Sequence, residues 1–389
     1  MSESIKIGDN IVKIGVVTYF HPINYGAFLQ AYALTGRLNQ IDGVDAELVN
    51  FRYPIEDAWY SRTSWKYLRK NRFNPADYFF DKKMDAAFAS DRKKLTLSDN
   101  EIISSDIEKF VSEYSGKYDI MIAGSDEIWK ATGYRGFPTV YWLPGELKCR
   151  KLSYAASARI DFSKLSDDKQ AKIRKYLSEF DVIGVRDAMT EESVRLFTDN
   201  QDKVIRCCDP VFVYDFKPDR ELGRKLLKER FNVDVSKPVV GIMANSKTIS
   251  ENLKKAYGSE FELVSFYKYN NGFINLNKLS PLEWVNVIAG LDFMITRFFH
   301  ATSFSLISGT PFLAVDTHAK SKNDSKIIDL LSHFNMQDRC VSDVDVLSVE
   351  AIRQIVLNGI EKGRDDNNRQ ILQFRENFEK YLHIADIVK

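Results

Sequence analysis

The sequence predicts an α/β protein built from two doubly wound domains that face each other across an interdomain cleft. Three observations predict it. Short apolar runs alternate with helical patterns, and repeated βα units imply parallel sheets. The alternation comes in two series, broken at Asp209-Pro210. The chain has 389 residues, whereas one hydrophobic core rarely serves more than roughly 250–300.

The elements follow in order. Lys13–Thr18 (KIGVVT) is nearly all apolar, as a strand covered on both faces should be. A loop at Tyr19–Tyr25 leads into Ala27–Leu38, where Phe28, Leu29, Tyr32, Ala33 and Leu38 fall at helical spacing. Glu47–Phe51, Tyr118–Ala123, Lys151–Ala156, Asp181–Val185 and Val204–Cys208 read as further strands, with helices near 167–179 and 188–197. A hinge is expected near 210–220. The second series sets a helix at Arg220–Arg230 and strands at Pro238–Ala244, Glu262–Tyr267, Phe293–Thr296 and Pro311–Val315. Helices near 281–289 and 301–308 lie between them. From Val349 to Ile384 the chain reads as one long charged helical tail. The expected domains are 1–215 and 216–350, with the tail 351–389 packing back on the first. Ligands are expected at the carboxyl ends of the strands.

Tyr53–Leu97 departs from this rhythm and reads as an insertion, 53–97. Within it, Ser61–Phe73 interleaves Arg62, Lys66, Arg69, Lys70 and Arg72 with Trp65, Tyr67, Leu68 and Phe73. One reading of 61–73 is a peripheral contact with a membrane surface or an anionic lipid-linked acceptor. The plainer reading, a solvated basic helix that packs its aromatics on the domain, is preferred.

Composition excludes several classes. Lys+Arg 55 against Asp+Glu 54 leaves +1, which argues against nucleic acid as a partner. Hydrophobic residues at 44% argue against disorder. The N-terminus lacks a basic stretch followed by an apolar one, and no apolar run approaches the roughly 18 residues of a membrane span. A cytoplasmic protein is expected, at the inner face of the membrane if 61–73 touches lipid. Cys149, Cys207, Cys208 and Cys340 lack metal-ligand spacing, so free thiols are expected, with no metal and no cofactor.

Four segments hold candidate chemistry. In Thr296–Pro311 (TRFFHATSFSLISGTP), Arg297 ends a strand and His300 lies where a helix begins. Helix N-terminal amides attract anions, an Arg fork binds carboxylate or phosphate, and a His exchanges protons near neutral pH. The plainer alternative is an Arg in an ion pair and a His capping the helix. Gly124-Ser125-Asp126 follows a strand and offers close backbone approach, a hydroxyl and a carboxylate, or simply an ordinary βα turn. Asn24-Tyr25-Gly26 precedes the first long helix and suits a phosphate or sugar, or merely closes a loop. His21 in that loop reads as a bystander. Arg186 ends the strand in DVIGVRD and points to the crevice, or pairs with Asp187 or Glu191. Asp209 reads as structural, and His318, His333 and His383 as surface or packing residues.

Taken in order, NYGAFLQAYAL (24–34), AGSDEIWK (123–130), SYAAS (153–157), VIGVRD (182–187), DPVF (209–212) and RFFHATSFSLISGTP (297–311) resemble the polysaccharide pyruvyl transferase family. The resemblance spans about residues 14–316, and its last motif is the most specific. It implies a glycosyltransferase-B-like fold of two Rossmann-like halves. It implies an enzyme that moves pyruvate from phosphoenolpyruvate to two hydroxyls of a glycan sugar as a cyclic ketal, with release of phosphate. The partners implied are phosphoenolpyruvate and a glycan or lipid-linked saccharide acceptor, the acceptor on the first domain and the donor on the second. By resemblance, Arg297, Arg186 and Ser303 bind the donor, and His300 is the general acid. Asp126 takes the acceptor's proton, and Asn24, Tyr25, Gly26, Gly124 and Ser125 line the acceptor side. Phe298-Phe299 departs from the usual pattern and reshapes the pocket wall. The competing readings are a nucleotide-sugar glycosyltransferase of the same fold and a catalytically idle glycan-binding protein. Oligomeric state, acceptor identity and ketal position are not readable from the sequence.

Overall fold

The computed structural model describes residues 11–56, 64–65, 69, 74–244, 247–257, 259–316, 325–342 and 347–388. Two six-stranded parallel sheets frame it. The first series gives β1 (Val12–Val17), β2 (Val44–Leu48), β3 (Phe51–Arg52), β4 (Ile102–Ile103), β5 (Ile120–Ala123), β6 (Arg150–Ala156), β7 (Val182–Val185) and β8 (Val204–Arg206). Its sheet runs β2-β1-β5-β6-β7-β8, and β3 pairs with β4 apart from it. The second series gives β9 (Val239–Met243), β10 (Glu262–Ser265), β11 (Ile274–Asn275), β12 (Phe293–Thr296), β13 (Phe312–Val315) and β14 (Cys340–Val341), in the order β11-β10-β9-β12-β13-β14.

Both sheets reverse direction once. The chain steps outward from β1 to β2, and from β9 to β10, then returns to the other side of the starting strand with β5 or β12. Where strand order reverses, the flanking helices part and a crevice opens at the carboxyl ends. Those ends are β1 with β5 in one half and β9 with β12 in the other.

Local chemistry sets the helix boundaries. The helix Tyr25–Leu38 begins two residues earlier than its apolar spacing predicts, because the Asn24 side chain accepts from the Gly26 and Ala27 amides. The charged tail is two helices, Val349–Lys362 and Asn368–Ile384. Gly363 ends the first with φ 76°, a conformation glycine adopts without strain. The second turns Phe378, Tyr381 and Leu382 into the core beneath the first sheet, and Tyr381 Oη donates to Ser153 O at 2.9 Å.

Within the 53–97 stretch lies a helix not anticipated from sequence, Pro75–Arg92, with Asn74 as its cap. Its Phe80, Met84 and Phe88 are buried with Tyr25 and Phe28 from the first half and Trp284 and Phe304 from the second. The Tyr25 and Trp284 rings stack at 4.9 Å and 7°, worth about 0.5–1.5 kcal/mol beyond the burial. Leu282 N also donates to Asp91 Oδ2 at 2.8 Å. The insertion thus ties the two halves together. Of 61–73, only Ser64, Trp65 and Arg69 are described, and His318 also lies outside the described residues. No helix among the described residues is long and apolar enough to cross a membrane.

Candidate active site

The ends of β1, β5, β7 and β12 bring four segments to one place, and Asp209 is its hub. Asp209 Oδ2 accepts from Arg186 Nη1 at 2.8 Å and from Ser125 Oγ at 3.1 Å, and His300 Nε2 faces it at 3.4 Å. The Asp209 side chain is wholly buried. Burial alone would raise its carboxyl; His300 and then Arg186 overturn that and hold it well below the usual carboxylate range. Arg186 is buried against the Phe299 ring, 4.6 Å from guanidinium carbon to centroid, and its Nη2 lies 3.7 Å from Asp126 Oδ1. Arg186 thus has carboxylates on hand within the fold, and its charge helps hold the Asp209 carboxyl low.

His300 sits in the first turn of the helix Phe299–Ser308. The capping residue Phe298 has no side-chain acceptor to offer that turn, so its first amides carry no side-chain cap. On the other side is Gly26: a Cβ built there would lie 2.1 Å from His300 Nδ1. The Asn24 cap and the glycine together let the first helix of one half touch the His300 segment of the other. Arg297 is half-buried, and among the described residues no hydrogen bond or ion pair engages its guanidinium.

Asp126 has φ 77°, uncommon for a residue with a Cβ and frequent where a site holds the backbone in place. Its Oδ1 accepts from Glu127 N at 2.9 Å. Glu127 in turn pairs with Lys326 of the second half at 2.8 Å. Burial would raise the Glu127 carboxyl, but Lys326 and Arg159 hold it well below the usual range. His21 is no rival acid: burial, then Arg52 and Arg92, push it down to about 3.

A family model described as polysaccharide pyruvyl transferase matches residues 24–319. The chain belongs to that family. No curated protein matches it in sequence. Among solved structures it is similar to the UDP-GlcNAc 2-epimerase of Methanocaldococcus jannaschii in complex with UDP-GlcNAc and UDP. Identity there is 11%, covering 97% of this chain and 100% of that one, with a TM-score of 0.55. It is also similar to an S. aureus MnaA–UDP co-structure, at 10% identity, covering 96% of this chain and 97% of that one, with a TM-score of 0.50. At such identities the likeness concerns the fold, and it makes this pyruvyl transferase glycosyltransferase-B-like.

The structure brings together Arg186, Ser125, Asp126, Gly26 and His300. It turns other expected site residues inward. Tyr25 is fully buried on Trp284, and its hydroxyl donates to Leu279 O. Ser303 is fully buried and donates to Phe299 O at 3.0 Å, one helical turn back. Ser125 is committed to Asp209, Asn24 to its cap, and Gly124 contributes backbone against Thr18. Asp209, read from sequence as structural, is the residue that joins these parts.

Proposed function

We propose that this family member transfers pyruvate from phosphoenolpyruvate to two hydroxyls of a glycan sugar as a cyclic ketal and releases phosphate. The observation that carries the reading is an Arg297 without a partner among the described residues, three residues from a His backed by a buried Asp209 whose carboxyl is held low. Arg297 and the amides at Phe299–Ser308 would hold the donor's carboxylate and phosphate. With Nε2 turned to Asp209, His300 Nδ1 delivers a proton to the donor's methylene carbon. C2 becomes oxocarbenium-like, and the first acceptor hydroxyl adds there and gives its proton to Asp126. Phosphate leaves C2, the second hydroxyl closes the ring, and its proton departs with phosphate.

The test is incubation of the protein with phosphoenolpyruvate and a panel of lipid-linked and synthetic glycosides, followed by mass spectrometry and a phosphate assay. Phosphate release that depends on an acceptor, together with a product bearing the ketal, supports the reading. Consumption of a nucleotide sugar instead would replace it. Arg297→Ala should raise KM for phosphoenolpyruvate roughly tenfold or more, the worth of one charge-assisted hydrogen bond, and initial rates across donor concentration check this. Gly26→Ala should cut kcat about 10²-fold, the usual effect of displacing a reacting group by ~1 Å. A helical Gly→Ala change otherwise stabilises by about 0.5–1 kcal/mol, so urea unfolding run beside the rate separates a displaced His300 from a damaged fold.

A further inference from the structure

A cavity of about 410 Å³ opens at the carboxyl ends of β9 and β10, beside the catalytic segment but outside the Asp209 cluster. That size lies within the range of ligand pockets, about 300–1,000 Å³, and is generous for a three-carbon donor. Arg297 does not line it. Its wall is Tyr267, Tyr269, Asn270 and Asn271 from the loop after β10, with Glu251 and Lys254 from the helix Lys247–Tyr257. Aromatic faces suit the C–H face of a sugar ring. Carboxamides, which both donate and accept, and a carboxylate suit its hydroxyls.

The loop is built in advance. Asn275 accepts from Asn270 N at 2.7 Å and donates to Asn270 O at 3.0 Å and Phe273 O at 2.8 Å. Asn270 Nδ2 donates to Ser250 Oγ, another lining residue, at 2.7 Å, which pins the carboxamide in the cavity wall. Such fixing lowers the ordering cost of binding. Tyr269 stays 44% exposed beside this polar space. Tyr267 packs on Phe298 with centroids 4.8 Å apart, and Phe298 sits between Arg297 and the turn that holds His300.

We infer that this cavity is the acceptor subsite and takes a pyranose unit of the glycan, with the hydroxyls to be bridged directed toward His300. The inference rests on the pyruvyl transfer reading and moves the acceptor from the first half, where the candidate side chains are turned inward, to the second. The test is saturation-transfer NMR of the whole protein with methyl glycosides of glucose, galactose and mannose. Tyr269→Ala, Asn270→Ala and His300→Gln are measured in parallel, with phosphoenolpyruvate affinity recorded for each. At least one glycoside should bind the wild type and His300→Gln alike. Tyr269→Ala should weaken it about 5- to 10-fold, the loss of one aromatic contact, and leave phosphoenolpyruvate affinity unchanged. Asn270→Ala should weaken it as well. Wild type that binds none of the three, or variants that bind as wild type does, would overturn the subsite. Glycoside binding that needs Tyr269, in a protein that releases no phosphate from phosphoenolpyruvate with any acceptor, would leave a saccharide site and remove the transfer reading instead.

Discussion

Asp209→Asn is expected to lower the unfolding free energy by about 3–5 kcal/mol, the usual result of removing one partner of a buried ion pair. The substitution keeps the shape of the side chain but strips Arg186, which is 4% exposed, of its closest anion. Asp126 at 3.7 Å is a poorer substitute, and it too sits on the strained turn. The pH dependence has a definite sign. The folded carboxyl is depressed, so its stabilisation is complete above the unfolded value of about 3.9 and fades as pH falls through the folded value. The deficit between variant and wild type should therefore be present above about pH 5 and shrink below about pH 4. Urea unfolding at stepped pH measures it. A variant as stable as wild type at pH 7 would mean that Arg186 does not depend on Asp209.

The reach of each contact explains what the sequence could and could not tell. The frame was legible because its central strands, β1, β5, β7, β9, β12 and β13, are short, nearly all-apolar runs, and β9 (VVGIM) is buried along its whole length, whereas the short edge strands β11 and β14 carry no such signal. The places of Arg297 and His300 were legible because they follow from local pattern: one comes straight after a strand, the other lies in the first turn of a helix. Asp209 was not, because it meets Arg186 across 23 positions and Ser125 across 84. Its meaning exists only once β5, β7 and the Asp209-Pro210 turn lie side by side. Tyr25 and Ser303 fail for a different reason. Both stand next to site residues in sequence, but helical rotation carries Tyr25 toward Trp284 and Ser303 back onto Phe299. The helix Pro75–Arg92 has an Asn-Pro start signal, yet its charged composition hides the Phe80–Met84–Phe88 stripe that joins the halves.

His300→Gln is expected to reduce kcat for pyruvyl transfer about 10³-fold, within the 10²–10⁴ that a positioned general acid supplies. Glutamine keeps a carboxamide beside Asp209 and should leave the fold in place. It has no proton to give to a methylene carbon, and that proton is what makes C2 electrophilic. Arg297 and the amides of Phe299–Ser308 remain, so phosphoenolpyruvate affinity should change little, and the loss should fall on kcat rather than KM. A variant that keeps wild-type phosphoenolpyruvate affinity and urea unfolding while it loses kcat separates this role from a structural one. The variant also sharpens the role given to Asp126, which would then have no acid to resupply, so adding Asp126→Asn to His300→Gln should cost less than Asp126→Asn alone costs wild type. Rates that multiply independently would place the two residues in separate steps, and a His300→Gln enzyme with wild-type kcat would take the proton transfer away from His300 altogether.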